Sequence, residues 1–126
     1  MIVLDTHAWI WLVSDPKRLS RPAAKEIQRA KRIAVSAISL WEFAMLVRKR
    51  RIEIDRGLLE WVEHALESTR AEILPLTPAV AAVGSELELR GDPGDRIIAA
   101  TALLAAATLV TKDEQLRRYD ALKTVW

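Results

Sequence analysis

Four acidic side chains lie in parts of the sequence that are otherwise free of charge. Asp5 is the only formally charged residue among the first 14, and Glu42 is the only one in residues 33–47. Asp95 and Asp113 flank an uncharged run of 15 residues, each one residue removed from it. A carboxylate in apolar surroundings raises the free energy of the fold unless it is hydrogen-bonded, paired or bound to a cation. We therefore treat these four acids as candidates for one shared site.

Each of these acids also has a purely structural interpretation. The first and the last of the four could cap the helices that follow them, which is a common role for Asp after a strand. Glu42 could form a capping box with Ser39. Asp92 is well placed to cap a helix that begins with proline, which leaves Asp95 without that role. Because the helical neighbours of Glu42 are apolar, we favour cation binding over the capping box for this residue.

If the four carboxylates meet in space, they need a positive partner. At about 5 Å and an effective dielectric constant near 20, each pair of carboxylates repels by roughly 3 kcal/mol. Oxygen ligands in a chain without cysteine select Mg²⁺, or Mn²⁺ as a substitute, over zinc. A metal held by carboxylates polarises a phosphoryl oxygen and lowers the pKa of a bound water. The four acids thus predict a site for phosphodiester hydrolysis.

The elements that position these acids follow from the hydrophobic pattern. Short apolar runs predict strands, and 3.6-residue periodicity between them predicts helices. The strands are expected at 2–4, 33–35, 72–76 and 109–111, with 123–126 as a further candidate. The helices are expected at 7–13, from Ser20 onward, and at 39–48, 58–69, 78–89, 92–107 and 114–118.

This alternation predicts an α/β fold, a three-layer α/β/α sandwich with a central, mainly parallel sheet. No repeat, linker or change in composition divides the chain, so residues 1–126 are expected to form a single domain. Ligands bind beyond the carboxyl ends of the strands in such sheets. All four acids are expected at that edge.

The acidic motifs, taken in order, resemble the PIN domain, and most closely the VapC-type toxins of type II toxin–antitoxin modules. The resemblance covers nearly the whole chain, and the motifs are specific as a set although each is weak alone. They are Asp5-Thr6-His7, Ser39-Leu40-Trp41-Glu42, Asp92-Pro93-Gly94-Asp95-Arg96 with its Ile-Ile-Ala-Ala sequel, and Thr111-Lys112-Asp113.

The resemblance implies a PIN-like sandwich, Mg²⁺-dependent endoribonuclease activity on RNA, a homodimer and a cognate, VapB-like antitoxin. Asp5, Glu42 and Asp95 match the metal-binding acids of the family, and Asp113 matches a fourth, more variable acid. All four are expected to be catalytic and to hold the metal. The expected accessory residues are Thr6, Thr111 of the T-x-D element, Arg96 and Asp92.

Composition excludes several other classes of protein. The 126 residues include 51% hydrophobic and 29% charged residues, as in an ordinary folded domain. The absence of cysteine excludes disulfide frameworks and thiol nucleophiles and fits a reducing, cytoplasmic location. The longest uncharged run is too short for a membrane span, and no signal peptide is recognisable, so no membrane association is expected. A net charge of +2 does not by itself identify a nucleic-acid binder.

A basic cluster, Arg48-Lys49-Arg50-Arg51, follows Glu42 by one or two helical turns. It could lead phosphates toward the metal, or it could only complement the dipole at the end of a helix. Arg96 could contact a phosphate or neutralise a carboxylate. His7 and His64 are not expected to be catalytic.

The five tryptophans are numerous for this length. We expect Trp41 and Trp126 in the core. Trp9, Trp11 and Trp61 are candidates for an interface, because aromatic residues stack unpaired bases and anchor protein partners. Of these uses we favour contact with a second copy or an antitoxin.

Three other functions remain open at this point. A receiver-like signalling module would also hold Mg²⁺ in an acidic pocket, and Lys112 after a late strand fits it. The second predicted strand ends without the phospho-accepting Asp that such a module needs, however. A structure-specific DNA nuclease and a purely structural PIN-like protein are the other two, and the intact acidic set counts against the latter.

Overall fold

The computed structural model describes all residues from 1 to 126 and contains five strands and seven α-helices. The strands are β1 (Ile2–Leu4), β2 (Ile33–Ser36), β3 (Ala71–Leu74), β4 (Thr108–Val110) and β5 (Thr124–Val125). The helices are α1 (Thr6–Ser14), α2 (Arg21–Arg29), α3 (Ala37–Arg48), α4 (Leu58–Thr69), α5 (Pro78–Glu86), α6 (Pro93–Leu104) and α7 (Glu114–Arg117). A single 3₁₀ turn, Pro16–Arg18, follows α1. No helix is both long and apolar enough to span a bilayer.

The five strands form one sheet in the order β3-β2-β1-β4-β5, and every neighbouring pair is parallel. The predicted α/β/α sandwich is therefore confirmed, with a sheet that is wholly parallel. The chain builds outward from β1 through β2 to β3, then returns to place β4 on the other side of β1. The order of the strands thus switches between β1 and β4, and such a switch is where α/β sheets bind ligands. A receiver-type sheet has the order 2-1-3-4-5, so the receiver-like alternative is wrong.

Successive residues of each strand serve opposite faces of the sheet, as the two-residue period requires. Ile2 and Leu4 of β1 belong to a core with α1, α2, α3 and α4, whereas Val3 belongs to a second core with α6 and α7. Both faces of the central strands are buried. This double burial explains why the central strands are short, wholly apolar runs rather than alternating ones.

Two aromatic predictions are wrong. Trp9 and Trp61, expected at an interface, are 0% and 6% exposed and pack with Phe43, whose ring centroid lies 4.1 Å from that of Trp61. Trp41, expected in the core, is 60% exposed. Helical periodicity identifies the faces of a helix, but α3 has apolar residues on most of its circumference. Sequence alone therefore did not show which of its aromatic residues faces the sheet. Trp126 is half-buried against Trp11, at 5.7 Å between ring centroids.

The start of α3 also differs from the prediction. The helix begins at Ala37, and the side chain of Ser36 accepts a hydrogen bond from the backbone N–H of Ile38. Ser39, expected as the cap, lies inside the first turn and is fully buried. Ser36 and Ser39 give the same capping signal. Ser36 is the cap because β2 ends at this residue and α3 begins directly after it. Helices α5 and α6 end three residues earlier than expected.

Candidate active site

A cleft of about 1000 Å³ opens at the carboxyl edge of the sheet. All four predicted acids line it, and so does the accessory candidate Asp92. Asp5 follows β1, Glu42 comes from α3, Asp95 from the first turn of α6, and Asp113 follows β4. Residues from four separate parts of the chain are thus brought to one place by the parallel sheet.

Asp5 bridges the switch point between β1 and β4. Its Oδ1 accepts a hydrogen bond of 2.8 Å from the backbone N–H of Thr6, and its Oδ2 accepts one of 2.6 Å from Thr111 Oγ1. Asp5 therefore caps α1 and also faces the cleft, so the structural and functional interpretations are compatible. Burial raises the pKa of Asp5 above its ordinary value, although the bonds from Thr111 and Thr6 and the nearby His7 act in the opposite direction.

Glu42 is held by hydroxyl groups rather than by a capping box. Thr6 Oγ1 donates to Glu42 Oε1 at 2.6 Å and also lies 2.9 Å from Ser39 Oγ. Because a threonine hydroxyl has a single proton, the carboxylate is its better acceptor, and Ser39 can supply its own proton to Thr6. Burial raises the pKa of Glu42, and the charges of Asp92 and Asp5 raise it further. The capping-box alternative for Glu42 is therefore wrong.

Asp95 is repelled by every other acid of the cleft. Burial raises its pKa from 3.8 to about 7, and the charges of Asp5, Asp113, Glu42 and Asp92 contribute in that order. Asp92 itself caps α6, since its Oδ1 accepts from the backbone N–H of Gly94 at 2.9 Å. The repulsion felt by Asp95 reports directly that the acids share one neighbourhood.

Asp113 begins the last helix at the edge of the cleft. Its Oδ1 accepts from the backbone N–H groups of Gln115 at 2.8 Å and Leu116 at 3.1 Å, so it caps α7. Its own N–H donates to Thr111 Oγ1 at 3.1 Å. Thr111 thus connects Asp113 to Asp5 through one fully buried hydroxyl.

Sequence reasoning missed the role of Gly94. A Cβ atom at this position would lie 2.5 Å from Glu42 Oε2 and 3.3 Å from Asp92 Oδ1, both too close for ordinary contact. The absence of a side chain lets the carboxylate of Glu42 approach the first turn of α6. A glycine between Asp92 and Asp95, within a helix start, was the available signal. Ser39 was likewise noticed only as a cap.

No basic residue neutralises the acids. The three ion pairs of the structure join Arg32 to Glu72, Arg56 to Asp55, and Arg118 to Glu114, all outside the cleft. Arg96 pairs with no carboxylate and does not line the cleft. Carboxylate oxygens with raised pKa values and no cationic partner are a donor set that fits a hard divalent cation. As they stand, no three His, Asp or Glu side chains are close enough to hold one ion, so an ion could bind there only if side chains rotate.

Basic and aromatic residues complete the walls of the cleft. Lys49 and Arg51 of the predicted basic cluster line it, whereas Arg48 and Arg50 do not. On the opposite wall, Lys112 Nζ lies 5.8 Å from the ring centroid of Trp11. Positive charge is therefore placed around the acids without touching them.

Comparison with known proteins now identifies the family. A model of the PIN domain matches residues 2–122. The chain belongs to the PIN-domain family. This PIN domain is 40% identical, over 129 aligned positions, to Ribonuclease VapC22 of Mycobacterium tuberculosis, with 99% of this chain and 98% of the relative covered. The predicted resemblance is thereby confirmed.

Solved structures agree on the fold of this PIN domain. DNA-bound VapBC from Salmonella typhimurium is similar with a TM-score of 0.73 at 21% identity, covering 99% of this chain and 98% of that chain. A toxin–antitoxin complex from Klebsiella pneumoniae gives a TM-score of 0.70 at 24% identity, covering 100% of this chain and 97% of that chain. At these identities the likeness concerns architecture alone.

Proposed function

We propose that this PIN domain is a metal-dependent endoribonuclease that hydrolyses RNA phosphodiester bonds with Mg²⁺, or with Mn²⁺ in its place. The observation that carries the proposal is the shared cleft of Asp5, Glu42 and Asp95, in which none of these carboxylates forms an ion pair with a Lys or Arg side chain. A divalent ion is the partner that such a cluster requires.

The residues of the cleft have separate roles in this proposal. Asp5, Glu42 and Asp95 hold the ion, and Asp113 completes the acidic ring. Thr111 and Thr6 fix the carboxylates of Asp5 and Glu42 through bonds of 2.6 Å each. When bound, the ion supplies Lewis acidity and activates water for attack on phosphorus. The protein contributes by bringing its carboxylates into one cleft, which lowers the cost of assembling the site, and side-chain rotation would complete the set of ligands.

The biological setting is also a proposal. The ribonuclease among its relatives supports RNA as the substrate, and the toxin–antitoxin complex among the solved structures supports an antitoxin partner. We infer that the protein is the toxin of a type II module, acts in the cytoplasm, forms a homodimer and is restrained by an antitoxin segment that covers the acidic cleft.

The test compares cleavage of matched single-stranded RNA and DNA by the parent protein, Asp5→Asn and Asp120→Asn, with Mg²⁺ or with EDTA. Asp120 is an exposed acid outside the cleft, so its variant controls for charge. We expect Asp5→Asn to lower RNA cleavage by more than about 100-fold, because even residues behind a metal ligand change activity by about 10–100-fold. Asp120→Asn should cleave normally.

The outcomes separate the alternatives. Cleavage by Asp5→Asn at the parental rate, or undiminished cleavage in EDTA, would show that the metal assignment is wrong. Cleavage of DNA in preference to RNA would instead favour the DNA-nuclease alternative.

A further inference from the structure

Trp41 is the one tryptophan that the fold leaves without an aromatic partner. Trp9 and Trp61 pack with each other and with Phe43, and Trp11 packs with Trp126. Trp41 makes no such contact and is 60% exposed, although it directly precedes Glu42. An indole left in solvent at the wall of a cleft has no role in packing the core.

Trp41 belongs to one continuous face of α3 that lines the cleft. This face, which we name the α3 track, has members three or four positions apart: Ile38, Trp41, Glu42, Met45, Leu46 and Lys49. Arg51 continues it beyond the end of the helix. At 1.5 Å per residue, Glu42 and Lys49 are separated by about 10 Å along the axis. Along the helix axis the track therefore presents, in this order, an exposed indole, an acid and two cations.

We propose that the α3 track binds single-stranded RNA, with an unpaired base stacked on Trp41 at one side of Glu42 and a backbone phosphate on Lys49 and Arg51 at the other side. The proposal rests on the proposed function, and it adds the path and the strandedness of the substrate. It follows from two features of the track. An aromatic ring stacks on a base only when that base is not paired. Lys49 and Arg51 lie at a fixed distance along the track, which matches the regularly spaced phosphates of a nucleic-acid backbone.

The charge pattern favours this occupant over a protein. Met45 and Leu46 alone would suit an apolar partner helix, but neither Lys49 nor Arg51 forms an ion pair within the chain. Two uncompensated cations in line with the acidic centre suit a polyanion whose reacting phosphate lies at that centre. A second copy of the chain or an antitoxin helix is the competing occupant, and the experiment below discriminates them.

The experiment measures binding of a labelled 12-nucleotide single-stranded RNA by fluorescence anisotropy, in the Asp5→Asn background so that cleavage does not interfere. Trp41→Ala should weaken binding by about 10-fold, within the range for loss of one stacked base. Trp41→Phe should retain most of the affinity, and Trp41→Leu should resemble Trp41→Ala, because leucine is apolar but cannot stack. Leu59→Ala, which alters an apolar residue that is 71% exposed outside the cleft, is the matched control.

Salt dependence tests the cations separately. Lys49→Ala should reduce the slope of log affinity against log salt by about 0.7, the value for one phosphate contact with a single strand. Trp41→Ala should leave that slope unchanged, since stacking releases no counterion. In otherwise parental protein, Trp41→Ala should raise KM for RNA with kcat largely preserved.

Several results would overturn the assignment. If Trp41→Ala binds RNA within twofold of the control, or if Trp41→Leu restores binding, no base stacks there. If Trp41→Ala lowers the mass measured by light scattering, or abolishes binding of a co-expressed antitoxin, without changing RNA affinity, the track serves a protein. Either finding leaves the nuclease intact as long as the parent protein cleaves RNA, whereas absence of both cleavage and binding rejects both proposals.

Discussion

At the scale of single residues, the acids of the cleft have structural and chemical roles at once. Asp5 caps α1 with one oxygen and accepts from Thr111 with the other. Asp92 and Asp113 likewise begin helices while facing the cleft. A cap fixes the position of a carboxylate by a backbone N–H, which is more rigid than a side-chain partner. The site thereby obtains oxygens whose positions are set by the main chain.

The pH dependence of stability follows from Asp95. In the metal-free protein its pKa is about 7, against 3.8 ordinarily, so between these values the folded state holds a proton that the unfolded state has released. The free energy of unfolding should therefore fall as pH rises from 4 to 7 and stay level above. Three pKa units correspond to about 4 kcal/mol, but Asp95 is only half-buried, and solvent screening reduces the expected loss to about 1–2 kcal/mol.

Urea unfolding in EDTA at several pH values measures this loss, with Asp95→Asn and Asp120→Asn for comparison. Asp95→Asn should reduce the decline, while Asp5 and Glu42, whose pKa values are raised in the same direction, keep a remainder. The same slope in Asp95→Asn as in the parent would contradict the assignment of the perturbed group.

The acidic residues of the candidate site could be predicted from the sequence. The residues that matter only through close packing against those acids or their partners could not. The acids stand out because a charged side chain in an apolar segment raises the free energy of the fold unless it has a partner. They are Asp5, Glu42, Asp95 and Asp113. Gly94 and Ser39 matter through contacts with residues distant in the chain, Glu42 and Thr6 respectively. Nothing in their local sequence reports those distances.

At the scale of elements, the site depends on how closely α3 approaches the start of α6. Gly94 sets that approach, because a methyl group there would lie 2.5 Å from Glu42 Oε2. The atom in the way is the tip of a side chain and can swing aside, so the fold should tolerate the change. The swung carboxylate, however, loses the hydrogen bond from Thr6 and leaves the position in which we propose that it binds the metal.

We therefore expect Gly94→Ala to change the free energy of unfolding by less than about 1 kcal/mol, within the range of glycine-to-alanine effects in helices. RNA cleavage should fall at least about 10-fold. Gly57→Ala is the matched control, since a Cβ there meets nothing within 4 Å. Thermal melts and cleavage assays of both variants decide the matter, and parental cleavage by Gly94→Ala would mean that Glu42 does not need its present position.

Some boundaries of helices and strands follow from the local sequence, whereas others depend on tertiary contacts. Strand β1 and the start of α6 could be predicted because a wholly apolar run and an Asp-Pro cap are unambiguous signals. The start of α3 could not, because Ser36 and Ser39 are equally good caps and the choice depends on how far β2 pairs with β3. The burial of Trp61 and the exposure of Trp41 depend on which neighbour each helix meets, which is also a property of the assembled layers.

At the scale of the whole molecule, the fold concentrates repulsion at one edge of an otherwise well-packed sheet. Two cores cover the faces of the sheet, and the strand order opens a crevice between β1 and β4. The acids gather there without forming ion pairs, so part of the stability from the cores is offset by their mutual repulsion. A divalent ion that binds only the folded state would return that stability by mass action.

This coupling predicts that Mg²⁺ reverses the order of stability of the parent protein and Asp5→Asn. In EDTA, Asp5→Asn should melt at or above the temperature of the parent, because one repelling charge is gone. At a Mg²⁺ concentration about 100 times the Kd, the parent should gain about 2.7 kcal/mol, or roughly 8–15 °C in Tm for a chain of this size, and overtake the variant. KCl at equal ionic strength controls for screening and should raise the Tm of both proteins slightly and by the same amount. If Mg²⁺ and Mn²⁺ shift the parent and Asp5→Asn by the same amount, the ions act by screening, and the carboxylates of the cleft do not form a metal site.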